Sequence, residues 1–433
     1  MGIGAGEVSL QRPGVRKRSG AWRWAAFGLG LLSLILTWER FHTYWEPQQS
    51  MVTTAALIGH GLLEGRPLYS DLWDCHPPAF YGSYAFAEAL SGYGPYSIFL
   101  LNLLIAWALM GALYALGCAY GGIGPGLIAA GLWALISGDP ALWANQPLPQ
   151  TFVNLFTMWA LFFIFGEKNK PRWIAVGLLL AGASLYQVSV LVLALFWSLA
   201  CAAWGRLEPV RARGIVKGIG WVWGGLAGVW GVTLLYFWAS GRGSDFIGAV
   251  FSYPLYRLAQ SAPGFTIQQF WPEAMKIGTP FLLAAFWGTC LSWTARPLFW
   301  ILLAATGGWV FVETSCASFS PASYQCWLPV LALGGACGIW EVGLWLKTFQ
   351  PRIAWIPAGL LFLFAFCQEW PNYQKWAVDW SRIKAGEGTV ETYDLALNLK
   401  DFLKPGETFY EWGDESQLYY LTRQDPPSGV LLC

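Results

Sequence analysis

Between positions 39 and 96 the sequence gathers the side chains most able to move protons or grip a phosphate. All three histidines of the chain, His42, His60 and His76, lie there, together with Glu39, Glu46, Glu64, Asp71, Asp74 and Glu88. A carboxylate can take the proton of an attacking hydroxyl and steady the positive charge of an oxocarbenium-like transition state. A protonated imidazole can donate to a phosphate oxygen. Imidazoles beside carboxylates also permit a divalent metal ion such as Zn2+ or Mn2+, although the spacing of these residues matches no compact ligand motif. The densest stretch is Gly65-Arg66-Pro67-Leu68-Tyr69-Ser70-Asp71-Leu72-Trp73-Asp74-Cys75-His76-Pro77-Pro78. Asp beside Gly and Pro also caps turns, so Asp71 and Asp74 have a structural use as well as a chemical one.

The rest of the chain is built to hold this segment at a membrane. Of 433 residues, 56% are hydrophobic and only 12% charged, with 29 Trp, 27 Phe and 18 Tyr. A net charge of +1 gives no general affinity for polyanions and argues against a nucleic-acid partner. A bilayer-crossing helix needs roughly 17–25 mostly apolar residues. About 11 segments approach that requirement, from Ala21–Trp38 through Ser97–Gly117, Gly122–Ile136 and Thr151–Gly166 to Ile353–Gln368. The stretch Trp173–Trp204 reads as one long helix or two short ones. Lys and Arg mark the cytoplasmic side. Arg12, Arg16, Lys17 and Arg18 precede the first span, which reads as an uncleaved anchor. Lys168, Lys170, Arg172, Arg206, Arg211, Arg213, Lys217, Arg296, Lys347 and Arg352 fall in alternate loops. That alternation puts the N-terminus in the cytoplasm and the polar segments 39–96, 241–277 and 369–433 outside. The organisation expected is a basic N-terminus at 1–20, a multi-spanning unit at 21–368 and an outer C-terminal segment at 369–433. In the first loop, Met51–Leu63 reads as a helix along the membrane surface. In the last, Thr392–Leu403 reads as a helix, Pro405-Gly406 as a turn, and Phe409–Trp412 and Leu418–Leu421 as short strands or packed segments.

A helix followed by G-x-P-x-Y-x-D-x-W-D-x-[KH]-P-P resembles the first outer loop of the GT-C superfamily, the multi-spanning glycosyltransferases that use polyprenyl-phosphate sugars. The similarity is to its protein mannosyltransferase and aminoarabinose transferase-like branch. Phe409-Tyr410-Glu411-Trp412-Gly413, Leu418-Tyr419-Tyr420-Leu421-Thr422 and Pro426-Pro427 resemble that branch's closing segment, and Tyr324 to Pro329 resembles an internal one. The resemblance implies an all-α polytopic fold with an outward cavity. It implies a lipid-phosphate sugar entering from the bilayer of the cytoplasmic membrane and an acceptor (lipid, glycan or protein) arriving from outside. It places His76 at the donor phosphate, where the family carries Lys, with Tyr69 beside it.

The departures are as specific as the matches. The family's Asp-Glu pair at the loop start is replaced by Gln48, Gln49 and Ser50, and a second position, often acidic, holds Gln150. An amide cannot act as a general base. The nearest carboxylates are Glu46 and, in the second outer loop, Asp139. The sequence therefore assigns catalysis to Glu46 with Asp74 and Asp71, and substrate contacts to His76, Tyr69, Asp139, Gln150 and Tyr324. The alternative is a relative that has lost catalysis and serves as a subunit of a membrane complex. A transporter ranks behind both, because no inverted repeat is visible. Trp45, Trp73 and Trp271 are candidates for stacking on a sugar ring. Gln187 is a candidate for facing the cavity, Glu313 and Glu341 read as residues near span ends, and Cys316 with Cys326 could form a disulfide.

Overall fold

The computed structural model describes residues 20–165, 171–207, 209–260, 278–316, 321–404, 407–413 and 415–429. The basic cluster from Arg12 to Arg18, Lys168, Lys170, Trp271 and the turn at Pro405-Gly406 lie outside the described residues. Those described residues form helices joined by short turns, with no strand and a single isolated bridge between Leu68 and Leu72. In chain order the first nine helices are α1 Ala21–His42, α2 Ser50–Leu63, α3 Pro78–Ser91, α4 Pro95–Gly121, α5 Ile123–Ile136, α6 Pro149–Phe165, α7 Trp173–Ser184, α8 Val190–Leu207 and α9 Pro209–Ala239. There follow α10 Gly243–Ile247, α11 Tyr253–Gln260, α12 Thr279–Ser292, α13 Pro297–Cys316, α14 Trp327–Lys347, α15 Ile356–Tyr373, α16 Ala377–Ala385, α17 Glu387–Phe402 and α18 Ser416–Thr422. Each apolar segment expected to span coincides with one of these helices. Among the described residues, five helical stretches are long and apolar enough to cross a membrane: Pro95–Gly121, Arg213–Ala239, Pro297–Cys316, Ala322–Lys347 and Pro351–Tyr373. Six shorter apolar helices accompany them.

Proline and glycine set the boundaries. α3, α4 and α6 start on Pro, whose missing N–H is one that a helix start leaves unpaired anyway. α2 ends at Gly65, whose φ of 87° lets Arg66 N–H turn back to the Gly61 carbonyl at 2.9 Å. The Trp173–Trp204 stretch is two helices. Its break at 185–189 is held from outside, because Ala79 N–H donates to the Leu185 carbonyl at 3.2 Å and the Ser83 and Tyr186 hydroxyls meet at 2.7 Å.

Packing corrects two expectations and decides a third. α2 does not lie on a membrane surface: nine of its fourteen residues, among them Val52, Leu57 and Ile58, are buried, chiefly against α3 and α18. A Cβ on Gly59 would stand 2.8 Å from the Ala85 nitrogen, so the two helices touch along their backbones. Of the two forms expected for Leu418–Leu421 the packed segment holds: it is helical, within α18, and Phe409 stacks on its Tyr419 at 4.7 Å. Cys316 and Cys326 are both free thiols, and Cys326 is buried.

Close packing of small residues joins α12 to α14, as is usual where lipid offers no hydrophobic drive between helices. Gly288 of α12 faces Gly338 of α14, and a Cβ on Gly338 would fall well inside contact distance of the Ala284 backbone carbonyl. A backbone atom cannot rotate away. Gly338→Ala is therefore expected to cost about 1–3 kcal/mol through forced helix separation, read as a lower thermal midpoint in detergent. An unchanged midpoint would mean the pair is looser than drawn.

Candidate functional site

The Gly65–Pro78 segment folds around one carboxylate. Asp74 is fully buried. Its Oδ1 accepts the Cys75 N–H at 2.7 Å, and its Oδ2 accepts the Tyr81 hydroxyl at 2.7 Å and lies 3.2 Å from His76 Nδ1. Tyr81 comes from α3, one helical turn past Pro77-Pro78, and its hydroxyl also accepts the His76 N–H at 3.1 Å. Tyr69 closes the loop from the other side by donating to the His76 carbonyl at 2.8 Å. Tyr69 has φ 71°, a conformation costly for a bulky side chain and often found at functional sites. It is held there by burial against Phe237 and Phe246, with ring centroids at 5.3 and 5.4 Å. Arg242 adds a bond to the Leu68 carbonyl at 3.3 Å. The helix end α9 and the short α10 therefore position the motif. His76, one-fifth exposed, is the edge of the cluster that reaches solvent.

Burial by itself would push the Asp74 carboxyl up. The charge of His76, with hydrogen bonds from His76, Tyr81 and the Cys75 N–H, outweighs it and holds the group below its ordinary value of 3.8. Folding thus favours the ionised form. Its contribution is full above 3.8 and disappears as pH falls through the lower folded value. The stability gap between wild type and Asp74→Asn is expected to persist down to about pH 4.5 and to close only below 3.8. Acid unfolding of the two proteins side by side checks this; a gap already closing at pH 6 would contradict it.

Glu46 forms the second centre. It is 3% exposed, and Lys384 of α16 reaches it at 2.5 Å, both side chains being out of solvent. Asn145 Nδ2 donates to Oε2 at 2.6 Å, while Gln146 and Ser381 donate to Oε1 at 3.4 Å each. Lys384 also donates to Asn145 Oδ1, and Ser381 to the Pro47 carbonyl at 3.0 Å. Burial lowers the Lys384 ammonium from its usual range, against the pull of Glu46. Both Glu46 oxygens are thus engaged, one of them by a cation.

The second loop bridges the two centres. Tyr84 of α3 donates to the Pro147 carbonyl at 2.9 Å, and Gln325, beside Tyr324, donates to the Trp143 carbonyl at 2.8 Å. Thr151 and Asn154 of α6 bond Gln325 in return, at 3.0 Å each. Gln150, one residue before Thr151, keeps a buried Oε1 with no hydrogen-bond partner, as does Gln49 with its Nε2. These amides stand where carboxylates are expected. Asp139 is buried and hydrogen-bonded with Glu369 at the end of α15. Beside them, Arg40 pairs with Glu39 at 2.8 Å and donates to Ser137 at 3.1 Å. Gly138 belongs here for a steric reason: any Cβ would collide with the Glu39 carboxylate and the Tyr373 hydroxyl.

Several expected residues are drawn together and others are not. Asp74, His76 and Tyr69 share one cluster; Glu46 belongs to another, tied to the loop that carries Asp139 and Gln150. Asp71 is exposed and pairs with Arg66 at 3.0 Å. His42 bonds the Lys375 carbonyl at 2.9 Å, and His60 lies 2.5 Å from Glu88, so each histidine has its own partners. Trp45 is exposed, and Trp73 packs edge-on against Tyr253 at 5.1 Å. Lys384 and Tyr81 were not singled out by the sequence reading: one is an ordinary lysine in a polar tail, the other an aromatic among 18 tyrosines. As for a metal, ligand atoms of Asp74, Cys75 and His76 lie within 4.8 Å of one another. Asp74 already spends both oxygens on three donors, so the set fits an ion poorly and none is assigned.

No family model and no curated protein matches the chain by sequence. Its architecture does match solved structures. ArnT from Cupriavidus metallidurans bound to undecaprenyl phosphate superposes with a TM-score of 0.63 at 12% identity, over 94% of this chain and 86% of that one. The archaeal oligosaccharyltransferase AglB from Archaeoglobus fulgidus, in complex with an inhibitory peptide and a dolichol-phosphate, gives 0.55 at 11% identity, over 94% of this chain and 64% of its own. The chain thus spans a little under two thirds of AglB. ArnT, an aminoarabinose transferase, and AglB are both GT-C enzymes, and this chain shares their fold.

Proposed function

We propose that this protein is a multi-pass membrane glycosyltransferase that takes a sugar from a polyprenyl-phosphate donor and passes it to an acceptor outside the cytoplasmic membrane. The observation that carries the reading is the buried Asp74 clamped to His76 within the loop that resembles the GT-C motif. Its support is a fold shared with ArnT bound to undecaprenyl phosphate. His76 supplies the donor that a phosphate oxygen needs, and Asp74 fixes its ring and favours its charged form. Tyr69 and Tyr81 keep the two in register. Asp139, Gln150 and Tyr324 line the acceptor side from the second loop and the turn before α14. Glu46, with Lys384 against it, acts as a positioning group that orders this loop; as a base it would first have to release its ammonium partner. The segments 1–20, 21–368 and 369–433 serve as cytoplasmic extension, membrane unit and outer cover.

One observation favours a second reading. With Glu46 closed by Lys384 and amides at Gln49 and Gln150, the chain could bind a lipid phosphate and transfer nothing, as a subunit of a membrane complex. Binding of undecaprenyl phosphate to protein reconstituted in lipid nanodiscs tests what the two readings share. Wild type is expected to bind, and His76→Ala to bind about tenfold more weakly, the loss typical of one charge-assisted hydrogen bond. Binding that ignores His76 would remove the phosphate role from this loop.

A further inference from the structure

Glu313 is an ionisable side chain that belongs to neither the Asp74 nor the Glu46 centre. It sits in the last turn of α13, inside a stretch long and apolar enough to cross a membrane, and is partly buried. An ionisable group in the last turn of such a helix is less costly than one at mid-span, but away from open water it still needs polar partners. No Lys, Arg or His pairs with it among the described residues. Its Oε1 accepts from Gln187 Nε2. Gln187 stands in the 185–189 break between α7 and α8, and its Oε1 is buried with no hydrogen-bond partner. Gln187 gives its amide nitrogen to Glu313, which turns Oε1 away as an open acceptor.

The break is fastened to the motif. Ala79, three residues past His76, bonds Leu185, and Ser83 bonds Tyr186. Tyr186 stacks on Phe152 of α6 at 4.3 Å and 12°. The Ser189 carbonyl is held by the Trp309 indole at 3.0 Å, one helical turn before Glu313. Cys326, two residues after Tyr324, is an electrostatic neighbour of Glu313. The pair thus lies between the motif and the turn that carries Tyr324, on elements whose geometry is fixed.

We propose that Glu313 and Gln187 bind the hydroxyls of the donor sugar and so set which sugar is accepted. The reason is polarity. The pair offers acceptors and no spare cation, so it repels a phosphate and suits O–H donors. His76 has the opposite character. The two sites divide the donor between them, phosphate at His76 and sugar at Glu313–Gln187. This inference rests on the donor reading above.

The test uses the full chain in nanodiscs and four lipids: undecaprenyl phosphate and its glucosyl, mannosyl and arabinosyl esters. Wild type is expected to bind at least one ester more tightly than the bare phosphate. Glu313→Gln, which keeps the shape, and Gln187→Leu are each expected to weaken that ester about tenfold. Binding of the bare phosphate should stay within twofold, which also shows that the variants are folded. Unchanged preference for the ester in both variants overturns the inference alone, as does a wild type that favours no ester. Equal loss of ester and bare phosphate makes the pair structural and overturns it too. A wild type that binds none of the four lipids removes the donor reading, and this inference with it.

Discussion

Replacing Lys384 by methionine is expected to destabilise the protein by about 3–5 kcal/mol, because it strands the Glu46 carboxylate out of water without its cation. Both side chains of this pair are inaccessible to solvent, and Glu46 would keep only Asn145, Gln146 and Ser381 as donors. Burying two opposite charges is itself costly, so the pair's own net contribution is far smaller than the cost of breaking it. That asymmetry gives the control. Glu46→Gln combined with Lys384→Met removes both charges and is expected to recover most of the loss. Thermal or denaturant unfolding of the three variants decides it. If the double variant is no better than Lys384→Met, the two residues do not act as a buried pair. The pair also ties α16 to the loop behind α1, so Lys384→Met is expected to open the 369–433 segment to proteolysis before the rest of the chain.

Loss of the Asp74 charge should have the largest effect on chemistry. Asp74→Asn keeps the shape but removes the negative partner of His76. A preorganised donor aimed at developing charge contributes about 10²–10³-fold to rate. Transfer is expected to fall by that factor, while His76→Lys, whose ammonium stays charged to higher pH, retains most of it. The family resemblance makes the same point, since lysine is its usual residue at position 76. Asp71→Asn, by contrast, changes an exposed pair with Arg66 and is expected to alter rate less than threefold, in line with the small energies of surface ion pairs. A rate lost equally in the Asp71 and Asp74 variants would show that the buried cluster has no special standing.

Much of the fold was legible because bilayer-length apolar segments and Gly/Pro boundaries are local signals. The break between α7 and α8 was legible only as one of two options, one long helix or two short ones, since Ser184, Gln187 and Ser189 are each compatible with a helix. What interrupts it is hydrogen bonding from α3, about a hundred residues earlier in the chain. The burial of α2 was misjudged for a related reason. It read as a helix along the membrane surface, but Thr53 bonds Ser416 at 2.6 Å and Gly59 admits the backbone of α3. At the site, Asp74 and His76 were visible through the motif that encloses them. Lys384 was not, because nothing local distinguishes a lysine that will meet Glu46 across 338 positions. That one residue changes the part Glu46 can play, from free base to anchored support.

The central claim is that this chain moves a sugar from a polyprenyl phosphate, with Asp74 and His76 at the phosphate. The most direct measurement is transfer of labelled sugar from undecaprenyl-phosphate donors in membranes containing wild type or Asp74→Asn at matched protein level. The account predicts transfer by wild type and a loss of about a hundredfold or more in the variant. Transfer that proceeds equally in both would contradict it.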